Sequence, residues 1–471
     1  MKTSLETRER RALVALTYDR EAEHLRARGQ EPPPAPEARV TSAVLLQAHA
    51  VSPSLAVLLG EAHLLASTRA ARRRYRRLPP LMLAGGRELV PWGGYLATVV
   101  TEPSAARRAA LVEASGTAAR DHRAVALAVV DALREAREAL PPAVLEGLRL
   151  GVDEAAAVLK ATDEALRELD PWVCRGLELD PSRLPWGDRL RSLLAPSLPR
   201  AIPPATWREV STRWIEACGL GHALRRVSGD LRPAAKDGEG VHCEGVSPGE
   251  RAVLVGRPWA TGGGLLALAG ASLEAVVYVT GRGERPSEAL GVDRALFGAA
   301  SALGRRLLLE RAFLLRVAGV ERPSLERALL EGLHLELLTV RAEAVASRFL
   351  GRVLSRSPEP GSELHEDLGR ALGATPPGAW GAHLAAWALE PGCAWGARTV
   401  GSRVEPALRG MLRETHDEDW FRNPRAGASL ALSLEALRAQ GAERWAEAVG
   451  RPSGPEVLSA RFAEVLREAR R

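Results

Sequence analysis

The chain has 471 residues, 46% of them hydrophobic and 26% charged, with a formal net charge of +6, 4 Cys and 3 Met. That length and balance suit a globular protein with a large core or two lobes. The charged start Met1-Lys-Thr-Ser-Leu-Glu-Thr-Arg-Glu-Arg-Arg11 lacks the apolar run of an export leader, and Cys174, Cys218, Cys243 and Cys393 are too scattered for a C-x-x-C metal site or a disulfide framework, so a cytoplasmic location is expected.

In chain order, apolar residues recur at helical spacing almost throughout, which predicts a mostly α protein. A first helix is predicted from about Thr3 to Gly29, ended by Glu31-Pro-Pro-Pro-Ala-Pro36, a stiff connector. Further helices are predicted between about Ala38 and Arg77, Ala105 and Leu140, and Ala143 and Leu169, with breaks such as Leu78-Pro-Pro80 and Pro203-Pro204. The run Arg69-Ala-Ala-Arg-Arg-Arg-Tyr-Arg-Arg77 is basic enough for phosphate or an acidic partner. With 4% aromatic residues in the chain and only three Lys among its 64 basic residues, a solvated arginine-rich helix face is the better reading, and a GC-rich bacterial source explains the bias.

Composition changes between Asp230 and Pro258: Asp237-Gly-Glu-Gly240 reads as a turn and Ala252-Val-Leu-Val-Gly256 as a short strand. Leu265 to Gly281 then carries a single charge, Glu274. A bilayer is excluded by the shortness of this run and by Glu274, which would cost about 2.5 to 3.5 kcal/mol at the centre of a membrane. A helix buried on all sides fits best. A lone carboxyl there is expected to pair with an Arg or to mark a site. Pro323 and Ser324 open a long helix to about Leu354, and no fixed-period repeat occurs.

From Val241 through Glu274 to Leu308 the chain resembles the thimet oligopeptidase and oligopeptidase F group of helical zinc gluzincins, in which a β hairpin leads through a Pro to a helix bearing H-E-x-x-H. Here Glu250 to Pro258 takes the hairpin's place, and Glu418-Asp-Trp-Phe-Arg-Asn-Pro-Arg-Ala-Gly427 is similar to an E-D-W-W-R-N-P-x-A-G stretch of bacterial members. Its local role is expected to be a helix stop and packing corner, since Pro424 bars helix at Asn423. The resemblance implies a two-lobed, neurolysin-like helical fold: an N-terminal lobe over 1–230 and a C-terminal lobe over 231–471, with a β insertion at 240–258, the former metal helix at 262–280 and the former third-ligand helix at 286–308.

Aligned on that family, Gly270 replaces the first His, Ala271 the catalytic Glu, Glu274 the second His and Phe297 the third ligand. No His occurs between Cys243 and Leu333, so no shift of register restores the motif. The family's tyrosines are also missing from Pro391-Gly-Cys-Ala-Trp-Gly-Ala-Arg-Thr399. Zinc hydrolysis needs two imidazoles one turn apart, a third ligand and a carboxylate base. The expectation is therefore no zinc, no other cofactor and no enzyme: a catalytically inactive oligopeptidase-like protein that binds a peptide or protein or serves as a regulatory or structural partner. The alternatives are a divergent metallopeptidase or other hydrolase with a rebuilt site, and a basic helical nucleic-acid-binding module. His365-Glu-Asp-Leu-Gly369, Gly221-His-Ala-Leu224, His334 with Glu336, and the acidic group Glu414, Asp417, Glu418 and Asp419 are read as structural or solvated. Thr261-Gly-Gly-Gly264 lacks the G-K-[ST] of a phosphate loop and is read as a turn into the buried helix.

Overall fold

The computed structural model describes residues 5–470 apart from 6, 17–30, 33, 36–37, 39, 80, 83–88, 91–94, 150–151, 153, 230–240, 248, 257, 283–285, 292–293, 356–359 and 390–393. Helices dominate the described residues, and five short strands accompany them. Residues 7–16 are helical, while the rest of the predicted first helix, the turn Asp237 to Gly240 and Cys393 lie outside the described residues.

The region from Ala38 to Arg77 forms two helices, Ser42–Val51 and Pro53–Arg76 (α1). They part at Ser52, which is extended and whose hydroxyl accepts a hydrogen bond from the Leu55 amide, ahead of a Pro in the first turn. The basic run on α1 is not wholly solvated. Arg72 is buried and donates to Thr68 Oγ1 at 3.1 Å and to the Leu65 carbonyl at 2.9 Å, and the Tyr75 ring lies 5.6 Å from that of His383. Packing of this face against the rest of the chain turns part of the run inward. Arg123–Arg137 (α2) and Ala155–Gly176 (α3) follow.

Leu81–Met82 (β1) pairs antiparallel with Leu89–Val90 (β2). A second sheet has the order β3-β5-β4, formed by Val227–Ser228 (β3), His242–Ser247 (β4) and Arg251–Val255 (β5). β4 and β5 make the expected hairpin, in the register His242 to Val255, and β3 adds a parallel strand that local alternation did not show. The sheet rests on the helix Gly262–Thr280 (α4), where a Cβ at Gly245 would come within 1.9 Å of the Tyr278 ring.

α4 begins at Thr261, whose hydroxyl accepts from the Gly264 amide at 3.3 Å. Gly264 is needed there because a Cβ would meet the Trp259 carbonyl oxygen at 2.0 Å. The helix is long and apolar enough to cross a membrane by composition, yet it is mostly buried inside the protein, as a core helix is. Against it runs Ala295–Leu307 (α5), antiparallel and at backbone contact: a Cβ at Gly304 would lie 2.4 Å from the Ala269 carbonyl oxygen. The other side of α5 meets Ala394–His416 (α7) just as closely at Gly298 and Gly401.

Arg322–Leu354 (α6), with Pro323 in its first turn, is a 33-residue spine that packs against α3, α7 and Pro455–Ala469 (α8). The Glu418 to Gly427 motif forms a corner as expected. Trp420 and Phe421 are fully buried, Asn423 is extended before Pro424, and Trp420 and Phe421 stack edge-on against Trp214 and Phe313.

Candidate functional site

Because α4 is apolar on nearly every side, its few polar or small positions decide what the site can do. Gly270, Glu274 and Tyr278 follow one another at one-turn spacing along the α4 and α5 seam. A Cβ at Gly270 would lie 2.8 Å from Ser301 Oγ and 3.0 Å from Arg305 Cγ, so no side chain fits there. Ala271 is buried in the core. Glu274 is the one half-buried charge of α4 and adds to the negative potential at Arg305. Phe297 lies with its ring 6.1 Å from that of Tyr278. These four positions are therefore spread along the seam and do not surround one point. They supply one carboxylate and no imidazole, next to a guanidinium, and such a donor set does not fit a zinc ion. Among the described residues no group of three or more His, Cys, Asp or Glu could hold a metal ion.

What the seam does hold is a ladder of charges. Arg305 donates to both Glu336 oxygens, at 2.7 and 3.2 Å, and Arg306 donates to Glu336 at 3.0 Å and to Glu405 at 2.6 Å. Arg306 also donates to the Ser402 carbonyl at 2.8 Å, tying α5 to α7 as well as to α6. Glu343, two turns beyond Glu336, stands 3.6 Å from Arg305 and 3.9 Å from Arg398. Burial alone would lower the Arg305 guanidinium, but Glu336 and Glu343 outweigh it and hold it above its ordinary value. The ladder continues outward from Glu405 to Arg409, then to Glu310 and Glu464, with Arg413 and Arg461 closing it. At that end burial pushes the Glu310 carboxyl up, against the pull of Arg409 and Arg461.

Sequence reasoning named Glu274 and missed the rest of the ladder. The signal was present in two places: Arg305-Arg306 interrupts an otherwise apolar helix, and Glu336 and Glu343 sit seven residues apart in an apolar stretch of α6. Both repeat the anomaly that singled out Glu274.

A second buried cluster joins α3 to α6. Arg189 donates to both Asp170 oxygens, at 2.6 and 2.5 Å, and His334 Nε2 donates to Asp170 at 2.7 Å. Burial would raise the Asp170 carboxyl, but these hydrogen bonds prevail and hold it at about 2. The same burial keeps His334 below its ordinary value. His334 and Glu336 thus serve different partners, as their opposite helix faces imply. His365 Nε2 donates to the Pro376 carbonyl at 2.6 Å. Glu414 pairs with Arg451, Glu418 with Arg413 at 3.1 Å and Asp419 with Arg316 at 2.6 Å, so these three acids of the helix-end group have cationic partners.

The helix order and this seam define a mostly α protein of peptidase-like fold. PZ peptidase A with an inhibitor matches 89% of this chain and 79% of its own, at a TM-score of 0.58 and 12% identity. A solved peptidase-type structure from Chlamydophila abortus matches 92% of this chain and 80% of its own, at a TM-score of 0.55 and 12% identity. At that identity the likeness is one of fold. No family model and no curated protein matches the sequence. The expectation that the chain is no enzyme is corrected by these structures. The fold it shares is one that peptidases have, and the lack of histidine between Cys243 and Leu333 bears on one route to peptide cleavage, not on all.

Proposed function

We propose that this chain, a remote relative of the thimet oligopeptidase and oligopeptidase F group, binds an extended peptide or protein segment along the half-buried stripe of α4. One observation carries the reading. Before its last residue α4 is buried everywhere except at Gly263, Ala267 and Glu274. At 3.6 residues per turn those three lie within about 40° of one another. A floor of Gly and Ala lets a ligand main chain approach closely, and Glu274 gives one end of the stripe a charge. The binding needs no zinc.

The test is fluorescence anisotropy with a pooled library of labelled peptides, with and without chelator. Ala267→Trp fills the stripe and is expected to weaken binding by at least about tenfold, as loss of a few buried contacts does, with the thermal midpoint measured alongside because Ala267 also packs against the core. Unchanged binding by that variant overturns the reading, and so does loss of binding on chelation. Mass spectrometry of the recovered peptides reports whether they are also cleaved.

A further inference from the structure

The segment between the helices Trp186–Ser192 and Ser197–Ala201 is anchored to two distant elements. Its Leu194 carbonyl accepts from the Gly262 amide at 3.0 Å, at the head of α4. Further on, the Ser197 amide and hydroxyl donate to the two oxygens of Glu331 on α6, at 2.7 and 2.8 Å, and Arg327 donates to the same carboxylate at 3.1 Å. Between these anchors Ala195 is buried with a left-handed backbone, φ 42°, which a residue bearing a Cβ keeps only where its surroundings hold it. The segment is therefore poised to relax when an anchor lets go.

A group able to draw Glu331 away stands one turn along α6. His334 uses its Nε2 proton on Asp170, and its buried Nδ1 has no hydrogen-bond partner among the described residues. A proton added at Nδ1 is thus a buried donor in need of an acceptor, and Glu331, whose charge already acts on His334, is a carboxylate on the same helix face. The other charges about the imidazole are Asp170 and Arg189, with Cys174 on α3 and Arg341 on α6 facing that pair. Asp170 is held at about 2 and burial pushes the Cys174 thiol up to about 11, so neither changes charge in mildly acidic solution. His334 does, because an opened joint returns it to its ordinary value of about 6.5.

We propose that His334, Glu331 and Ser197 form an acid-sensitive catch on the head of α4. A proton taken up at His334 Nδ1 draws Glu331 from Ser197, and the segment 194–197 relaxes and releases Gly262. Gly263, at the end of the stripe, is the next residue, so acidification also weakens peptide binding, a consequence that rests on the reading just given.

The test is hydrogen exchange read by mass spectrometry on the full chain without peptide, corrected for the intrinsic pH dependence of exchange. Fragments covering residues 194–201 and 260–266 are compared with one covering 298–307 of α5. Between about pH 6.5 and 5 the first two are expected to lose protection by up to about tenfold per pH unit, while α5 keeps its own. His334→Gln is expected to flatten that profile and Glu331→Gln to reduce its slope. A flat profile in the parent chain, an equal loss in α5, or an unchanged slope in His334→Gln overturns the catch; the parent profile decides even if the variants do not fold. Fluorescence anisotropy with a peptide that binds at neutral pH is expected to show binding weakened at about pH 5 in the parent and less so in His334→Gln. Equal weakening in both overturns the link to the stripe. Absence of peptide binding at every pH overturns the stripe reading and leaves the catch standing, since exchange is read without peptide.

Discussion

The Arg305, Glu336, Arg306 and Glu405 ladder and the Asp170, Arg189 and His334 cluster are both buried ionic sites that tie helices to α6, but they differ in exposure and in chemistry. The ladder's four side chains are 0 to 7% exposed and joined by charge-assisted hydrogen bonds, so each member depends on the others for compensation. The cluster leaves Asp170 20% exposed and includes an imidazole, a group that titrates close to neutrality. A fold can therefore carry one ionic site that fixes helix registry and another that responds to its surroundings, using nearly the same residue types. Seclusion from water and the identity of one partner make the difference.

The largest break in that comparison should come from Glu336→Gln, which leaves Arg305 and Arg306 short of charge in the interior. A loss of about 3 to 5 kcal/mol is expected in chemical denaturation. Gly304→Ala tests whether the ladder's helix is also held from its opposite side. Its new Cβ would fall 2.4 Å from the Ala269 carbonyl oxygen, and a loss of about 1 to 3 kcal/mol is expected. Asp170→Asn should cost less than Glu336→Gln, about 1 to 3 kcal/mol, because water reaches part of the group. If the two acid substitutions cost the same, seclusion is not what separates the sites.

The smallest effect is a pH slope. His334 lies below its ordinary value in the folded chain, so as pH falls below about 6.5 the unfolded chain takes up the proton first. Its contribution is complete above that pH and is lost on acidification, by no more than about 1.4 kcal/mol per pH unit. Asp170, held at about 2 against an ordinary 3.8, loses its contribution in the same direction but only below pH 4. Urea midpoints measured between pH 7.5 and pH 5, roughly the range in which His titrates, should fall for the parent chain and fall less for His334→Gln. Identical slopes would remove the cluster from the comparison.

Much of the fold was legible in the sequence because its signals are local. The helical spacing, the prolines at 323 and 424, the turn Thr261 to Gly264 and the charge-free run around Glu274 each act within a few residues of themselves, whereas the break before Pro53 went unread. The strand β3 was not legible, since two residues carry no periodicity and only pairing with β5 makes them a strand. The inward turn of Arg72 on α1 was likewise invisible, because charge alone does not say which face a neighbour will cover.

What the sequence by itself determined is the class of structure and an absence. Helix-forming periods fixed a mostly α chain, and the stretch from Cys243 to Leu333 offers no imidazole whatever the packing. Only the tertiary structure decided what stands in that place. Glycines at 270, 298, 304 and 401 bring α4, α5 and α7 to backbone contact, and that closeness gathers arginines and glutamates from α5, α6 and α7 into one ladder. Charges as far apart in sequence as Arg306 and Glu405 stabilise one another only once they are withdrawn together from water, and their meeting is a property of the packed helices.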